Sequence, residues 1–372
     1  MVTLVVTIGV SSLDLYSERL AKYLPSFVPR VYTTIYHDLA EHFNASLLSC
    51  TEIKSLCEDI IFIKELNKLN GILHLPNHHL GRYGVFLKKP YIITVHDLVR
   101  YLDTKGYGPI PPNQGFLMNR PNLRDRIYLN LDIIGIKKAI KIIAVSHTTK
   151  RDIVRYLKVP EERIDVIYEG VDHKIYKPVK ERPIDYPYVL YVGTEYPRKN
   201  FITLLKAFKK LKRDKRFSAL KLVKVGRAGR LGSCLRRYTL KAIKTLKLKN
   251  DVIFAGYVTE KELVKYYSNA ECFVLPSLYE GFGLPVIEAM ACNCPVICSN
   301  SSALSEVAGD AAIKINPYNV NELTKALKRV LTDDRLRNEL IRKGSKRSRM
   351  FSWERTARET LRVYREIDEY YH

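Results

Sequence analysis

Two glutamates flank a glycine-rich turn in the last third of the chain. Glu280 precedes the heptapeptide GFGLPVI and Glu288 follows it. A carboxylate only accepts hydrogen bonds, and it can therefore hold both hydrogens of a vicinal diol, a group that ribose and pyranose rings present. The pair predicts a site for a nucleotide or a sugar, although the spacing alone is also compatible with two solvated residues of a surface turn.

The turn between these glutamates predicts an anion site. Pro285 suits the first position of a helix, where its missing N–H costs nothing, and the pattern predicts a helix over 285–292 with Glu288 in its first turn. Gly281 and Gly283 allow the backbone to approach a ligand closely. Unsatisfied donors at a helix N-terminus, together with the helix dipole, favour phosphate. The donors would be the backbone N–H groups of Phe282, Gly283 and Leu284.

A basic pair complements this anion site. The segment VLYVGTEYPRKN, residues 189–200, predicts the end of a strand followed by Arg198 and Lys199. Both precede a predicted helix at Phe201–Leu211, whose apolar residues recur with helical periodicity. Arginine suits bidentate contacts and lysine acts as a point charge, so the two residues predict a clamp for a diphosphate.

Short apolar runs alternate with amphipathic stretches along the chain, which predicts parallel sheets covered by helices. Two such series predict two doubly wound domains, whose ligands bind at the carboxyl ends of strands. Prolines and mixed charges predict a linker at 176–187, and the chain ends in a predicted helix over 353–372. The predicted strands are 2–8, 72–75, 91–95, 142–145, 164–167, 188–192, 221–225, 252–254, 272–275, 296–298 and 312–315.

Glu280, GFGLPVI and Glu288 together resemble the E-x7-E signature of the retaining glycosyltransferases of family 4, which have the GT-B fold. Further segments resemble that family in the same order, and the likeness covers nearly all of residues 91–353. These segments are TVHDL at 94–98, residues 142–172, VGTEYPRKN at 192–200, FAGYVTEKEL at 254–263, YYSNAECFVLPSLYEGFGLP at 266–285 and SNSSALSEVAGDAA at 299–312.

The resemblance implies an α/β architecture of two Rossmann-like, doubly wound domains that face each other across a cleft. Residues 1–178 would form the acceptor-side domain, to which the last helix, 354–372, would return. Residues 179–353 would form the domain that binds the nucleotide sugar.

The resemblance also implies roles for individual residues. Glu288 would hold the ribose hydroxyls, and the backbone near Gly256 and Tyr257 would contact the base. The family often has a glycine pair after the first strand, whereas Gly9 stands alone here. The implied catalytic residues are His96 beside the transferred sugar, Arg198 and Lys199 at the leaving diphosphate, and Glu280. The implied substrate-binding residues are Gly9, Gly256, Tyr257, Gly281, Phe282, Gly283, Leu284 and Glu288.

The activity that the resemblance implies is retaining, metal-independent transfer of a hexose-type sugar from a nucleotide-diphosphate sugar to a hydroxyl group. The acceptor would be a glycan, a lipid-linked saccharide or a glycoprotein. No cofactor is expected, and the sequence contains no D-x-D metal motif. The alternatives are a basic binding protein on the same scaffold, a DNA-modifying glucosyltransferase that uses the positive surface, and a sugar-nucleotide epimerase.

The net charge of +23 favours anionic partners. Residues 206–249 contain 17 Lys and Arg residues against one acid, Asp214. Such a segment could contact an acidic membrane surface or nucleic acid, although few aromatic residues interleave with the basic ones, and it could also be a solvated face. A heat-adapted surface is another interpretation. Proteins of hot-living organisms contain many charged residues and few heat-labile amides, and this chain contains a single glutamine, Gln114.

Localisation is expected to be cytoplasmic, with peripheral contact at the cytoplasmic face of the membrane. The first residues, MVTLVVTIGV, lack the cationic start of a secretory signal, and seven cysteines suit a reducing compartment.

Residues 104–122 are rich in Gly and Pro, and they predict either a lid over the acceptor pocket or a disordered loop. We expect no metal at His74, His78 and His79, or at Cys292, Cys294 and Cys298.

Overall fold

The computed structural model describes residues 1–7, 12–26, 28–33, 50–106, 108, 123–229 and 232–371. Gly9 and nearly all of the segment 104–122 lie outside the described residues. The chain forms two compact units. The first contains Met1–Lys105, Arg120–Glu169 and Trp353–His372, and the second is formed mainly by Gly170–Ser352.

The first unit is built on a parallel sheet with the strand order β2-β1-β3-β4-β5-β6. Its strands are β1 Val2–Thr7, β2 Arg30–Thr33, β3 Ile72–Leu75, β4 Tyr91–Val95, β5 Lys141–Ala144 and β6 Ile164–Val166. Its helices are α1 Ser12–Tyr23, α2 Cys50–Lys68, α3 Gly81–Gly84, α4 Val99–Thr104, α5 Leu123–Lys138, α6 His147–Asp152 and, at the end of the chain, α14 Trp353–Tyr371.

The second unit repeats this plan with the strand order β12-β11-β10-β7-β8-β9, again all parallel. The strands are β7 Tyr188–Val192, β8 Lys221–Val225, β9 Val252–Gly256, β10 Cys272–Leu275, β11 Val296–Ser299 and β12 Ile313–Ile315. The helices are α7 Phe201–Leu211, α8 Gly232–Thr245, α9 Glu260–Ser268, α10 Leu284–Ala291, α11 Ser302–Ala308, α12 Val320–Thr332 and α13 Asp334–Ser348.

The two sheets confirm the predicted α/β class with two doubly wound halves. Every predicted strand is present, with ends that shift by at most two residues. The apolar face predicted for α7 is buried. The strand β2 was not predicted, because its four residues begin with Arg30 and contain no apolar run. Within the described part of the chain, β2 is an edge strand that pairs with β1.

The boundary between the units differs from the expected one at 178/179, because the second unit begins at Gly170. Val171 forms an isolated bridge with Ser352, and the imidazole Nε2 of His173 lies 3.2 Å from the carbonyl oxygen of Phe351. These contacts join the residues after β6 to the end of the second unit, which the prolines and charges of the predicted linker could not indicate.

The last helix packs in the core of the first unit. Trp353, Val363 and Tyr364 of α14 belong to the same buried cluster as Leu4 of β1 and Leu20 of α1. The helix therefore completes the first unit although it follows the second in sequence. Within the described residues, no helix is both long and apolar enough to cross a membrane.

Candidate functional site

The predicted charged residues of the second unit follow β7 and β10. These strands are neighbours in the sheet although β8 and β9 separate them in sequence, so the strand order reverses between them. Ligands of open α/β sheets bind at the carboxyl ends of strands beside such a reversal. Arg198 and Lys199 lie in the 3-10 turn Pro197–Lys199 after β7, and Glu280 follows β10.

Glu280 joins the two turns. Its Oε1 and Oε2 lie 2.7 and 2.8 Å from Nζ of Lys199, and Oε2 lies 3.6 Å from Nη1 of Arg198. The backbone is tied at the same place, because the N–H of Leu278 donates to the carbonyl oxygen of Arg198 over 2.7 Å. The N–H of Glu280 donates to Oγ of Ser302 over 2.9 Å. The structure thus brings together three of the four predicted catalytic residues.

The charge of this cluster follows from its pairing. Burial alone would raise the pKa of the Glu280 carboxyl, but the adjacent charges of Lys199 and Arg198 bring that pKa below its ordinary value. One carboxylate and two cations leave a net positive charge at the ends of β7 and β10. This arrangement suits an anion such as a diphosphate.

The helix α10 begins at Leu284, one residue earlier than predicted. Gly283 is its N-cap, with φ of 110°, a left-handed conformation that favours glycine. A Cβ atom on Gly283 would lie 2.6 Å from Cδ2 of Leu304, so the side of this turn is closed by packing. Glu288 consequently lies in the second turn of the helix and not in the first, because Gly283 takes the capping position. Phe282 is buried, and its ring packs edge-on against Phe351.

Glu288 is buried beside two tyrosines that sequence reasoning missed. The hydroxyl of Tyr267 donates to Oε2 of Glu288 over 3.0 Å. Burial raises the pKa of Tyr267 and of Tyr176, and the charge of Glu288 raises both further. Both phenols therefore stay protonated. Tyr267 of α9 and Tyr176 thus place two neutral hydroxyl groups near the carboxylate of Glu288.

The predicted base-contacting residues lie at the end of β9. Gly256 is in the left-handed region with φ of 73°, and its carbonyl oxygen accepts a hydrogen bond from Gly226 N–H, which follows β8. No atom outside its neighbours lies within 4 Å of a Cβ placed on Gly256. Tyr257 is 63% exposed, and the guanidinium of Arg227 lies 5.1 Å from its ring centroid. The backbone of Gly256, with open space beside it, and the exposed ring of Tyr257 are thus adjacent.

A buried charge cluster next to this edge was not predicted. Glu195 Oε1 lies 2.7 Å from Nη2 of Arg236 and 3.4 Å from Nζ of Lys224. Lys224 also donates to the carbonyl oxygens of Gly226 and Arg227, so it holds the loop after β8. Burial lowers the pKa of Lys224 to about 8, although Glu195 opposes that shift. In the sequence Lys224 is one residue of the strand KLVKV, and nothing there marks it as buried.

His96, the fourth predicted catalytic residue, belongs to the first unit and follows β4. Its Nδ1 lies 2.7 Å from Oε1 of Glu169, a partner that the sequence did not indicate. His74 contacts Thr94 and Tyr364, and burial lowers its pKa to about 3. Among the described residues, no three His, Cys, Asp or Glu side chains are grouped in a way that could hold a metal ion. The predicted contact of Gly9 lies outside the described residues.

Comparison with known families agrees with this geometry. The family model for glycosyl transferases group 1 matches residues 172–347, and the model for glycosyltransferase family 4 matches residues 70–175. The chain belongs to the group 1 glycosyltransferases of the GT-B fold. The boundary between the two matches lies near the boundary between the two compact units of the chain.

Several relatives are mannosyltransferases by name. The O-antigen chain mannosyltransferase B of Escherichia coli is 32% identical over 233 residues, which is 60% of each chain. The O-antigen chain mannosyltransferase RfbU of Salmonella typhimurium is 34% identical over 197 residues, 53% of this chain and 52% of the relative. The matched parts therefore span less than two thirds of these relatives.

Solved structures match over almost the whole chain. Sucrose-phosphate synthase from Thermosynechococcus elongatus has a TM-score of 0.75 at 22% identity, with 99% of each chain covered. Anabaena HepE in complex with UDP-glucose has a TM-score of 0.75 at 16% identity, with 98% of this chain and 99% of that chain covered. These likenesses show the fold.

Proposed function

We propose that this chain is a retaining, metal-independent glycosyltransferase that moves a hexose-type sugar from a nucleotide-diphosphate sugar to a hydroxyl acceptor. The observation that carries the proposal is the contact of Lys199 and Arg198 with Glu280 beside the N-terminus of α10. Two cations and a helix N-terminus favour a diphosphate at this place. Family membership supports the same activity.

The proposed reaction needs no protein nucleophile. The acceptor hydroxyl attacks the anomeric carbon on the face from which the diphosphate leaves, and a diphosphate oxygen takes the hydroxyl proton. Lys199 and Arg198 stabilise the negative charge on the leaving group, the type of effect that usually contributes most to catalysis. Their positive charge takes the place that a divalent cation would otherwise fill.

Four sets of residues would bind the donor. Glu288 would accept the ribose hydroxyls, the backbone at Gly256 and the ring of Tyr257 would contact the base, and Glu280 would face the sugar. The backbone of the turn at residues 281–284 would contact the sugar and the diphosphate. Because several relatives are named mannosyltransferases, mannose is the first sugar to test. A glycan, a lipid-linked saccharide or a glycoprotein is proposed as the acceptor.

The basic surface suggests a second partner, an acidic membrane surface. On α8 the side chains of Arg237, Lys241 and Lys244 are exposed on one face, and Leu240 between them is 47% exposed. Asp214, the one acid of residues 206–249, is already paired with Arg216 and Lys328. Cationic side chains around an apolar one suit the surface of an anionic bilayer. We propose a cytoplasmic enzyme with peripheral membrane contact, while adaptation to heat stays a prediction.

A thermal-shift panel of nucleoside diphosphates and their sugars tests the donor site, because a ligand that binds the native state raises its apparent stability. The panel should include UDP, GDP and their glucose and mannose derivatives. Release of free nucleoside diphosphate that depends on an acceptor would support transfer. Conversion of the donor without an acceptor would instead indicate an epimerase, and no shift with any nucleotide would favour a binding protein. Activity that persists in EDTA, with a product of retained anomeric configuration, would support the finer assignment.

A further inference from the structure

The ring of His96 is held by an oxygen atom at each nitrogen. Nδ1 lies 2.7 Å from Oε1 of Glu169, which follows β6, and Nε2 lies 3.0 Å from the carbonyl oxygen of Pro76, which follows β3. The ring of Tyr16 packs edge-on against it, with centroids 4.7 Å apart. The side chain of His96 is only 7% exposed, as is that of Glu169. The orientation of the imidazole is thereby determined.

The backbone of His96 is fixed as well. Its N–H lies 3.4 Å from Nδ1 of His78, and its carbonyl oxygen accepts a hydrogen bond from Oγ1 of Thr149 over 3.2 Å. These partners follow β3 and β5, the two neighbours of β4 in the sheet. His96 therefore sits rigidly at the carboxyl edge of the first sheet, where open α/β sheets bind ligands.

The two oxygen partners decide which hydrogens the ring carries. The carbonyl of Pro76 has no hydrogen to donate, so Nε2 must carry one. A single proton lies between Nδ1 and Oε1 of Glu169, and we place it on the imidazole, with the carboxylate as its acceptor. With hydrogens on both nitrogens, the ring is an imidazolium paired with a carboxylate.

We propose that Glu169 is a positioning residue that keeps His96 as a fixed imidazolium, so that His96 acts as a positive charge and not as a general base. The proposal rests on the proposed transferase function. A base needs a free lone pair, and an imidazolium with both N–H groups engaged has none. When the acceptor O–H bond breaks and its oxygen bonds to the anomeric carbon, the proton therefore goes to the departing diphosphate oxygen.

Other titratable groups lie near the ring, and Arg82 and Arg100 supply positive charge next to His78. His78 packs nearby, with a pKa lowered well below its usual value by burial and by adjacent positive charges. Burial also lowers the pKa of His74 and raises that of Tyr16. Glu169 supplies the carboxylate that contacts the imidazole of His96. Replacing it with an amide removes the charge and retains an oxygen acceptor of similar shape.

The ring state can be measured directly in the ligand-free protein. Nitrogen NMR of protein labelled with 15N-histidine, recorded at about pH 8, should show both ring nitrogens of His96 protonated in the wild type. In Glu169→Gln the spectrum should show a neutral ring with one protonated nitrogen. His74, bonded to Thr94 and Tyr364, should keep its signals in both proteins and serves as an internal reference.

Kinetics provide the second measurement. Glu169→Gln should lower kcat by about 10- to 100-fold, the range for removing a carboxylate that orients a functional histidine. Glu169→Asp should restore much of the rate. Glu359→Gln, which breaks an ion pair with Arg355 on α14, is the control and should leave kcat and the nitrogen signals of His96 unchanged.

A neutral His96 in the wild type would overturn the proposal, and so would a Glu169→Gln protein with an unchanged ring state and kcat. If that variant does not fold, the wild-type spectrum and Glu169→Asp still decide the question. Absence of transfer from every nucleotide sugar would count against the proposed function. The NMR result would then still test the Glu169 assignment on its own.

Discussion

Lys199 and Glu280 are 81 positions apart in sequence, yet the ammonium of Lys199 contacts both carboxylate oxygens of Glu280. Each residue follows one of two strands that meet where the strand order of the second sheet reverses. The ammonium of Lys199 and the nearby guanidinium of Arg198 place two positive charges beside one carboxylate, which suits an anion. The pair positions the positive charge before any donor arrives.

Lys199→Ala should lower kcat by about 10²- to 10³-fold, the effect of removing one preorganised stabiliser of transition-state charge. Steady-state kinetics with the active nucleotide sugar measure this. Lys212→Ala removes an equal charge from a pair with Asp251 and should leave kcat unchanged. Near-full activity in a double variant lacking both Arg198 and Lys199 would contradict the clamp.

Glu288→Ala should weaken nucleotide binding chiefly, because the carboxylate is proposed to hold ribose hydroxyls. Calorimetry with the free nucleoside diphosphate should show an increase in Kd of at least about tenfold, which corresponds to about 1.4 kcal/mol. Tyr267→Phe should have a smaller effect, since it removes one hydrogen bond and retains the carboxylate. Glu271→Gln, at the ion pair with Arg337, is the control. Unchanged affinity in Glu288→Ala would show that its role is misassigned.

Gly283→Ala should destabilise the protein more than Gly256→Ala. Both glycines have positive φ, which costs alanine about 1–2 kcal/mol. At Gly283 the added Cβ also meets Leu304 at 2.6 Å, whereas the space at Gly256 is open. Overpacking typically adds about 1–3 kcal/mol. Chemical denaturation of both variants measures the free energies of unfolding. An equal decrease in both variants would argue against close packing of Leu304 on Gly283.

The buried Lys224 should make stability depend on pH in the alkaline range. Its folded pKa of about 8 lies below the ordinary lysine value of 10.5, so the unfolded chain binds more protons between these values. The free energy of unfolding of the wild type, measured relative to that of Lys224→Met, should therefore rise with pH across that window. Denaturant titrations of both proteins at several pH values give this difference. A difference that does not change between about pH 8 and 10 would contradict the assignment.

Vesicles containing an anionic phospholipid should bind the chain, and neutral vesicles should not. A double variant, Lys241→Glu with Lys244→Glu, should lose most of this binding in co-sedimentation. The variant Lys325→Glu with Arg329→Glu changes the charge equally on exposed residues of α12 and should retain it. Equal loss in both variants would indicate general attraction to a basic protein. Stronger binding to single-stranded nucleic acid than to anionic vesicles would favour the alternative partner.

Much of this architecture could be predicted from local patterns. Buried strands of a parallel sheet are short apolar runs, and an amphipathic helix such as α7 repeats its apolar residues at helical spacing. Both can therefore be recognised from residues that are close in sequence. The glycine turn, Pro285 and the acids at 280 and 288 are likewise close in sequence. Their residue types alone indicated an anion and a diol as ligands.

Other contacts depend on which strands are neighbours in the sheet, and local sequence patterns do not predict the strand order. Glu169 reaches His96 because β5 alone separates β4 from β6 in the sheet, and Lys224 meets Glu195 and Arg236 because β7 and β8 are neighbours. Burial then changes the chemistry of these groups by removing water that would otherwise solvate their charges. Residue types and spacing thus determined the fold class and the kind of ligand, whereas tertiary packing decided which charges are paired and which carboxylate holds the ring of His96.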